Sequence, residues 1–328
     1  MTDGRDIPYQ LRTNKFIDRQ IFVDLLTRVV SLKPEGHYIY VSMGGKHLVD
    51  HEAVYRRLGI RNLYSFDGDA GVVARQQCNK PTVGAVCVEL GSEALAGEID
   101  SILHRFHPAG NLVIWLDYTK PAERLSQLQE LTACLKKAQS GDVVRITMNA
   151  ENYTLRGDWK AAGYDQPSTY RAFRLREQIA EYFDEKIELI GDEELPIALA
   201  KGVALACGMA EEERRLQFVP LLMTAYADGQ RMMTATVLAL APGEQLPNGL
   251  RDWEFLAKRW TDVVSIAVPD LSLREKVAID QHLSKGPAAI IKAVKFAPAG
   301  DEQEARQALL SYKRVHRFYP TFFPVGVQ

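Results

Sequence analysis

Short apolar runs alternate with amphipathic runs over the first 150 residues. The amphipathic runs have the 3.6-residue spacing of helices and the apolar ones are rich in β-branched and aromatic residues, so the pattern predicts a lead-in helix followed by five strand–helix units. The predicted strands cover residues 38–43, 63–67, 83–90, 111–118 and 142–148, and the predicted helices cover residues 16–30, 46–58, 70–78, 93–106 and 121–140.

The pattern changes after the fifth strand. Residues 166–215 are charged and helix-prone, which predicts a helical insertion or cap. Residues 216–226 and 231–240 are two β-rich runs joined by an Asp228-Gly229 turn, which predicts an antiparallel hairpin of strands six and seven. Helices are predicted at 253–264, 273–283 and 301–318. The sequence thus predicts an α/β domain over residues 1–243 with a seven-stranded, mostly parallel sheet, and a helical extension over residues 244–328.

Composition excludes few functions. The net charge of −2 arises from well-mixed charges, so nothing global favours nucleic acid or an anionic membrane as a partner. The four cysteines are scattered without a CxxC pair, which predicts buried thiols rather than zinc ligands or disulfides. The polar start of the chain and the lack of a long apolar segment predict a cytoplasmic protein.

Candidate ligand-binding residues follow three of the predicted strands. Open α/β sheets bind ligands at the carboxyl ends of their strands, glycines there allow a ligand to approach the backbone, and a carboxylate can accept both hydroxyls of a ribose. The first strand is followed by a glycine turn, the second by two acids and the fourth by Asp117 and Tyr118. We predict cofactor contacts from Ser42, Met43, Gly44, Gly45, Asp67, Gly68 and Asp69, and catalytic roles for Asp117 and Tyr118.

Simpler interpretations of these residues remain open. The two glycines could form a tight turn and nothing more, and Asp69 and Asp117 could each cap the helix that follows. His47 and His51 lie four residues apart on one predicted helix, a spacing that can hold a metal. Because no carboxylate partners them suitably, we predict that both are solvated helix residues and expect no metal site.

The order of elements carries a resemblance. Five parallel units followed by an antiparallel hairpin differ from dinucleotide dehydrogenases and resemble the Rossmann-like class I methyltransferase fold, which binds S-adenosylmethionine (SAM). In that family the loop after the first strand approaches the methionine part of SAM, and an acid ending the second strand binds the ribose. The loop after the fourth strand faces the reacting methyl group. The resemblance assigns these roles to residues 42–45, to Asp67 with Asp69, and to residues 117–119.

Three segments extend the resemblance to bacterial O-methyltransferase-like proteins of uncertain function. They are YVSMGGKHLVDHEAVYRRLGIRNLYSFDGD, WLDYTKP and YKRVHRFYPTF. The chain departs from the general family pattern in its SMGGKH turn, where many methyltransferases have three spaced glycines. It also lacks the Asn-Pro-Pro-Tyr motif of DNA amino methyltransferases, which argues against base N-methylation.

Two functions follow. The first is SAM-dependent O-methyl transfer to an unidentified acceptor, with Asp117 as base or orienting group. The alternative is a catalytically silent methyltransferase-like subunit that binds a protein partner through a C-terminal aromatic tail, which comprises Phe318, Tyr319, Phe322 and Phe323. A nicotinamide oxidoreductase is disfavoured by the hairpin.

Overall fold

The computed structural model describes residues 12–31 and 36–321. Its core is an eight-stranded sheet in the order β3-β2-β1-β4-β5-β7-β6-β8. Strands β1 to β5 pair in parallel, and β7 runs antiparallel to β5. The strands are β1 (Tyr38–Ser42), β2 (Asn62–Asp67), β3 (Val86–Glu89), β4 (Asn111–Asp117), β5 (Val143–Asn149), β6 (Gln217–Ala227), β7 (Arg231–Leu240) and β8 (Val264–Ile266).

Eleven α-helices connect the strands and follow them in the described part of the chain. They are α1 (Thr13–Val30), α2 (Val49–Leu58), α3 (Ala70–Cys78), α4 (Leu95–Arg105), α5 (Arg124–Leu135), α6 (Pro167–Ile179), α7 (Leu195–Arg214), α8 (Asn248–Arg251), α9 (Leu273–Asp280), α10 (Pro287–Val294) and α11 (Glu302–Val315). The strand–helix alternation and the hairpin of β6 and β7 are therefore confirmed.

The prediction of seven strands and of a helix at 253–264 is wrong. Residues 253–263 form turns, and β8 follows as an eighth strand. Hydrogen bonds hold these turns in place. The Ala257 amide donates to the Leu221 carbonyl of β6 at 3.0 Å, and the Asp262 carboxylate accepts from the amides of Lys258 and Arg259. The apolar spacing of this segment resembles a helix, but its backbone bonds to the sheet instead.

Helix α7 belongs to the core and is not an insertion. Half of its residues are buried, and it packs against α5 and β7. Gly202 allows a close approach, because a Cβ there would lie 3.1 Å from the Tyr182 carbonyl oxygen. The expectation that all of 166–215 forms a cap was wrong, since the small residues of α7 make it a packing helix of the sheet.

A buried carboxylate lies where the parallel strands begin. Asp142 accepts hydrogen bonds from Asn111 Nδ2 at 2.7 Å, from the Leu112 amide at 2.8 Å and from the Gln139 amide at 3.0 Å. Burial raises the pKa of its carboxyl from 3.8 to about 6, although these three donors act in the opposite direction. The group ties β4 to the turn before β5.

The chain divides into two compact units. The larger unit comprises residues 22–225 and 231–264 and contains most of the sheet. The described residues of the smaller unit are 12–21, 226–230 and 265–321. In the smaller unit the Asp228 carboxylate accepts from the amides of Asn14 and Lys15, at 3.1 and 2.7 Å. Asp228 therefore caps the N-terminus of α1 from a position 214 residues away from Asn14 in sequence.

The described part of the aromatic tail packs within the smaller unit. Tyr319 is buried, its hydroxyl donates to the Pro269 carbonyl at 3.1 Å, and its ring contacts Tyr312 edge-on. Phe318 is partly buried, and Phe322 and Phe323 lie outside the described residues. The contacts of Tyr319 thus stabilise the smaller unit itself.

Three of the four cysteines, Cys87, Cys134 and Cys207, are buried as predicted, but Cys78 is exposed at the end of α3. Among the residues that the structure describes, no helix is long and apolar enough to cross a membrane.

Candidate functional site

The predicted site residues lie at the carboxyl ends of strands that are adjacent in the sheet. Strand β1 lies between β2 and β4, and Ser42 at its end pairs in register with Ser65 and Trp115. Asp67 and Asp117 are the last residues of β2 and β4. The sheet order reverses between β1 and β4, which is where open α/β sheets bind ligands.

The loop that follows β1, residues 43–48, which we call the glycine loop, is longer than predicted. Helix α2 begins at Val49 instead of residue 46. Gly44, Gly45 and Leu48 have positive φ angles of 67°, 54° and 50°. Three left-handed residues in five prevent a helix from starting earlier. The two glycines adopt this conformation at little cost, whereas at Leu48 it is strained.

Gly44 is required by the protein's own packing. A Cβ at this position would lie 2.7 Å from Leu48 Cδ2, 2.8 Å from His51 Cε1 and 2.9 Å from Ser65 Oγ. Its amide donates to Ser42 Oγ at 3.2 Å. Gly44 thus faces the interior, and the side chains below it explain the glycine without a ligand.

Gly45 faces the other way. A Cβ built on it meets no atom within 4 Å, so open space lies beside this residue. Its amide donates to the Met43 carbonyl at 2.8 Å. The backbone amides of Lys46 and His47 make no hydrogen bond to the residues described here. The ligand-accessible part of the loop is therefore centred on residues 45–47.

A polar group lies buried beneath the loop. Asp50 Oδ2 accepts from the hydroxyls of Tyr40 and Ser42, at 2.8 and 2.7 Å. His51 is 1% exposed, with Nε2 3.2 Å from the Tyr64 carbonyl oxygen and its ring edge-on to Tyr40. The prediction of a solvated His51 was wrong, because its face of α2 packs on β1 and β2. Ser42, predicted to touch the cofactor, instead directs its hydroxyl into this buried group.

Helix α3 holds the glycine loop from the side. The buried amide of Gln76 donates through Nε2 to the Met43 carbonyl at 2.8 Å and to the Gly45 carbonyl at 3.2 Å. Asn79 Nδ2 donates to the Lys46 carbonyl at 2.8 Å. This contact could not be predicted from the sequence, because an isolated glutamine in an amphipathic helix is usually a surface residue.

Asp67 is half-buried at the end of β2. Its Oδ1 accepts from the Asp69 amide at 2.9 Å, and Oδ2 accepts no hydrogen bond from the described residues. Burial raises the pKa of the Asp67 carboxyl, the neighbouring Asp69 charge adds to this, and the backbone hydrogen bond opposes it. One oxygen is fixed and the other is available to a ligand.

Gly68 and Asp69 shape the turn after β2. A Cβ on Gly68 would lie 4.0 Å from Gly91 Cα, so the loops after β2 and β3 approach closely at two glycines. Asp69 caps α3 by accepting from the amides of Gly71 and Val72, as the alternative interpretation predicted.

The side chains of Asp117 and Tyr118 have different surroundings. Asp117 ends β4 in register with Thr147 of β5, and its side chain is partly buried. Tyr118 is buried, and its hydroxyl donates to Glu130 of α5. Burial and this carboxylate raise the pKa of the Tyr118 phenol well above its usual range. The two predicted catalytic residues are thus adjacent in sequence, but the Tyr118 hydroxyl is engaged by a helix on one face of the sheet.

A profile of the family described as "Putative O-methyltransferase" matches residues 7–327. The chain belongs to that family. The match spans nearly the whole sequence, and the sheet order is that of a class I SAM-dependent methyltransferase. Both confirm the resemblance inferred from the sequence, and SAM is the cofactor of the fold.

Solved structures similar to this chain include a SAM-dependent methyltransferase from Clostridium acetobutylicum (13% identity, TM-score 0.38, covering 72% of this chain and 94% of that one). Another is a SAM-dependent methyltransferase from Anabaena variabilis (9%, 0.35, 69% and 86%). A third is the N-methyltransferase NodS from Bradyrhizobium japonicum (9%, 0.34, 68% and 97%). These similarities are too low to assign residues or substrates. Comparison with curated proteins gives no match.

The residues at this edge of the sheet fit SAM in chemical type. Asp67 Oδ2 can accept from ribose hydroxyls, and the open space beside Gly45 allows a ligand to reach the backbone. The amides of Lys46 and His47 are donors that a ligand carboxylate can use.

Proposed function

We propose that this protein transfers the methyl group of SAM to a hydroxyl of an acceptor. The observation that carries the proposal is the edge formed by β2, β1 and β4, where the glycine loop, Asp67 and Asp117 follow neighbouring strands. The family description supports oxygen as the methylated atom.

Asp67 is proposed to bind the ribose. Its anchored Oδ1 fixes the carboxylate, and Oδ2 accepts from the sugar. A carboxylate serves here because it has acceptors only and can receive two hydroxyl donors at once. The backbone at residues 45–47 is proposed to contact the methionine part of the cofactor.

Asp117 is proposed to act on the acceptor. Bound SAM supplies an electrophilic methyl group on a sulfonium, so the protein chiefly has to hold the acceptor oxygen in line with it. A carboxylate at the end of β4 can accept a hydrogen bond from the acceptor hydroxyl and then its proton. Tyr118 has no direct part in this proposal, because Glu130 already holds its hydroxyl.

Calorimetric titration with SAM and S-adenosylhomocysteine tests cofactor binding. Asp67→Ala is expected to weaken SAM about 100-fold, because charged hydrogen bonds to two hydroxyls together contribute about 3 kcal/mol. Glu52→Ala is the control, since Glu52 is a carboxylate on α2 that pairs with Arg56 on the surface. No binding of either ligand to the wild type, or equal affinities for Asp67→Ala and Glu52→Ala, contradicts the proposal.

Methyl transfer is tested separately with methyl-labelled SAM and a panel of phenols and alcohols. Asp117→Asn is expected to lower turnover at least about 100-fold while the SAM affinity stays within about twofold of wild type. Tight SAM binding without transfer to any hydroxyl compound would instead favour the catalytically silent subunit.

A further inference from the structure

Gln76 is a buried amide in the last turn of a helix whose other residues are exposed or half-buried. It is fully excluded from solvent. Burying an amide is unfavourable unless its hydrogen bonds are made. Nε2 makes two, both to carbonyls of the glycine loop, while Oε1 is buried without a hydrogen-bond partner among the described residues. No other residue of α3 in the described structure reaches the carbonyls of Met43 and Gly45.

The same helix begins at the ribose side of the site. Asp69 caps α3, and the Asp69 amide donates to Asp67 Oδ1. One short helix therefore connects the carboxylate proposed to bind the ribose with the loop proposed to bind the methionine part. The pairing of β1 with β2 fixes the strand ends, and the contact at Gln76 adds a link from α3 to the loop beyond the end of β1.

The loop needs such a contact. Leu48 has a left-handed backbone angle, which is costly for a non-glycine residue and persists only where the surroundings enforce it, whereas Gly44 and Gly45 adopt such angles at little cost. Ser65 Oγ also donates to the Met43 carbonyl, at 3.3 Å, and Asn79 holds Lys46. Without Gln76, Met43 and Lys46 would keep these two hydrogen bonds, and the Gly45 carbonyl would lose its side-chain donor.

We propose that Gln76 is a positioning residue that sets the glycine loop at the correct distance from Asp67, so that SAM can contact both at once. The proposal rests on the proposed function, because it assumes that SAM lies between these two elements. It predicts a selective defect: binding of the nucleoside depends on Asp67 and is retained, while the added affinity from the methionine part is lost.

The test compares two ligands by calorimetry. SAM contains the methionine part, whereas 5′-methylthioadenosine contains the same nucleoside without the amino acid. In Gln76→Met, which keeps the side-chain length but removes both hydrogen bonds to the loop, SAM affinity is expected to fall about tenfold, equivalent to about 1.4 kcal/mol of binding free energy. The affinity for 5′-methylthioadenosine is expected to stay within about twofold of wild type.

Gln77→Met is the matched control. Gln77 is the next residue of the same helix and also donates through Nε2 to a backbone carbonyl, but to that of Cys87 in β3, at 2.7 Å. Both affinities should remain within about twofold in this variant. If Gln76→Met does not fold, Gln76→Asn retains the donor on a shorter side chain and should show the same selective loss of SAM affinity.

The outcomes separate the hypotheses. If Gln76→Met loses affinity for both ligands equally, Gln76 has a general structural role. If its SAM affinity is unchanged, Gln76 has no role in binding. Either result overturns the positioning proposal and leaves the proposed function intact. A wild type that binds neither ligand overturns the proposed function as well. A wild type that binds both ligands equally well would show that the loop does not contact the methionine part, and would also overturn the positioning role.

Discussion

Replacing each glycine of the SMGGKH turn by alanine should produce opposite defects. In Gly44→Ala the new methyl group would lie within 3.0 Å of atoms of Leu48, His51 and Ser65. Overpacking of this kind costs about 1 to 3 kcal/mol, and a left-handed alanine costs about 1 to 2 kcal/mol more. The free energy of unfolding should therefore fall by about 2 to 5 kcal/mol.

Gly45→Ala isolates the backbone contribution. Its φ angle is similarly left-handed, but its methyl group would enter open space, so only about 1 to 2 kcal/mol should be lost. The same methyl group would occupy the space proposed for the ligand. We expect Gly45→Ala to lose the larger part of its SAM affinity, and Gly44→Ala to lose the larger part of its stability.

Urea denaturation, monitored by circular dichroism, measures the free energy of unfolding of each variant. Calorimetry measures the SAM affinity of the folded proteins. Equal destabilisation of the two variants within about 0.5 kcal/mol would contradict the prediction, and so would a stable Gly44→Ala variant in which only the SAM affinity falls. The second result would mean that Gly44, and not Gly45, faces the ligand.

Three further predictions concern titrating groups. The pKa of Asp142 in the folded protein, about 6, exceeds its ordinary value of 3.8. The contribution of Asp142 to the free energy of unfolding is therefore full below pH 4 and is lost as the pH rises through 6. At about 1.4 kcal/mol per pH unit, the stability lost is about 3 kcal/mol. Asp142→Asn should remove that part of the pH dependence when the free energy of unfolding is measured at pH 4 and pH 7. A difference in free energy between variant and wild type that is the same at both pH values would contradict the prediction. Because burial raises the pKa of Asp67, SAM affinity should fall on acidification at a higher pH than an ordinary aspartate would give, and Asp67→Asn should abolish this dependence in calorimetry. Tyr118→Phe should lower the free energy of unfolding by about 1 to 2 kcal/mol, because it removes the hydrogen bond to Glu130. The rate of methyl transfer should stay within about threefold of wild type. Loss of methyl transfer at unchanged stability would support a catalytic role for Tyr118.

The sequence predicted the sheet well where local signals agreed. The start and end of α3 and β7 were predicted correctly, because an Asp cap and an Asp-Gly turn fix them. Strand β3 was predicted too early because Val83 is apolar, yet Val83 is almost fully exposed. Hydrophobicity cannot distinguish a turn residue from the strand that follows it.

The site was predicted less well because its geometry depends on long-range contacts. Positions of Asp67 and Asp117 at strand ends could be predicted from the alternation of elements. The direction of a side chain could not: Ser42 and Tyr118 point to Asp50 and Glu130, and neither partner is marked by any local pattern. Long-range packing of this kind also decides which of the two glycines faces side chains of the protein and which faces open space.

The cap on α1 has a consequence for biosynthesis. Its carboxylate, on Asp228, follows Asn14 by 214 residues, so the first helix leaves the ribosome long before its amide groups can be satisfied. At about 5 to 20 residues per second the delay is on the order of 10 to 40 seconds. During that interval the amides at the N-terminus of α1 lack the Asp228 carboxylate as an acceptor. A stalled or truncated product that ends before the hairpin would expose this end to proteases.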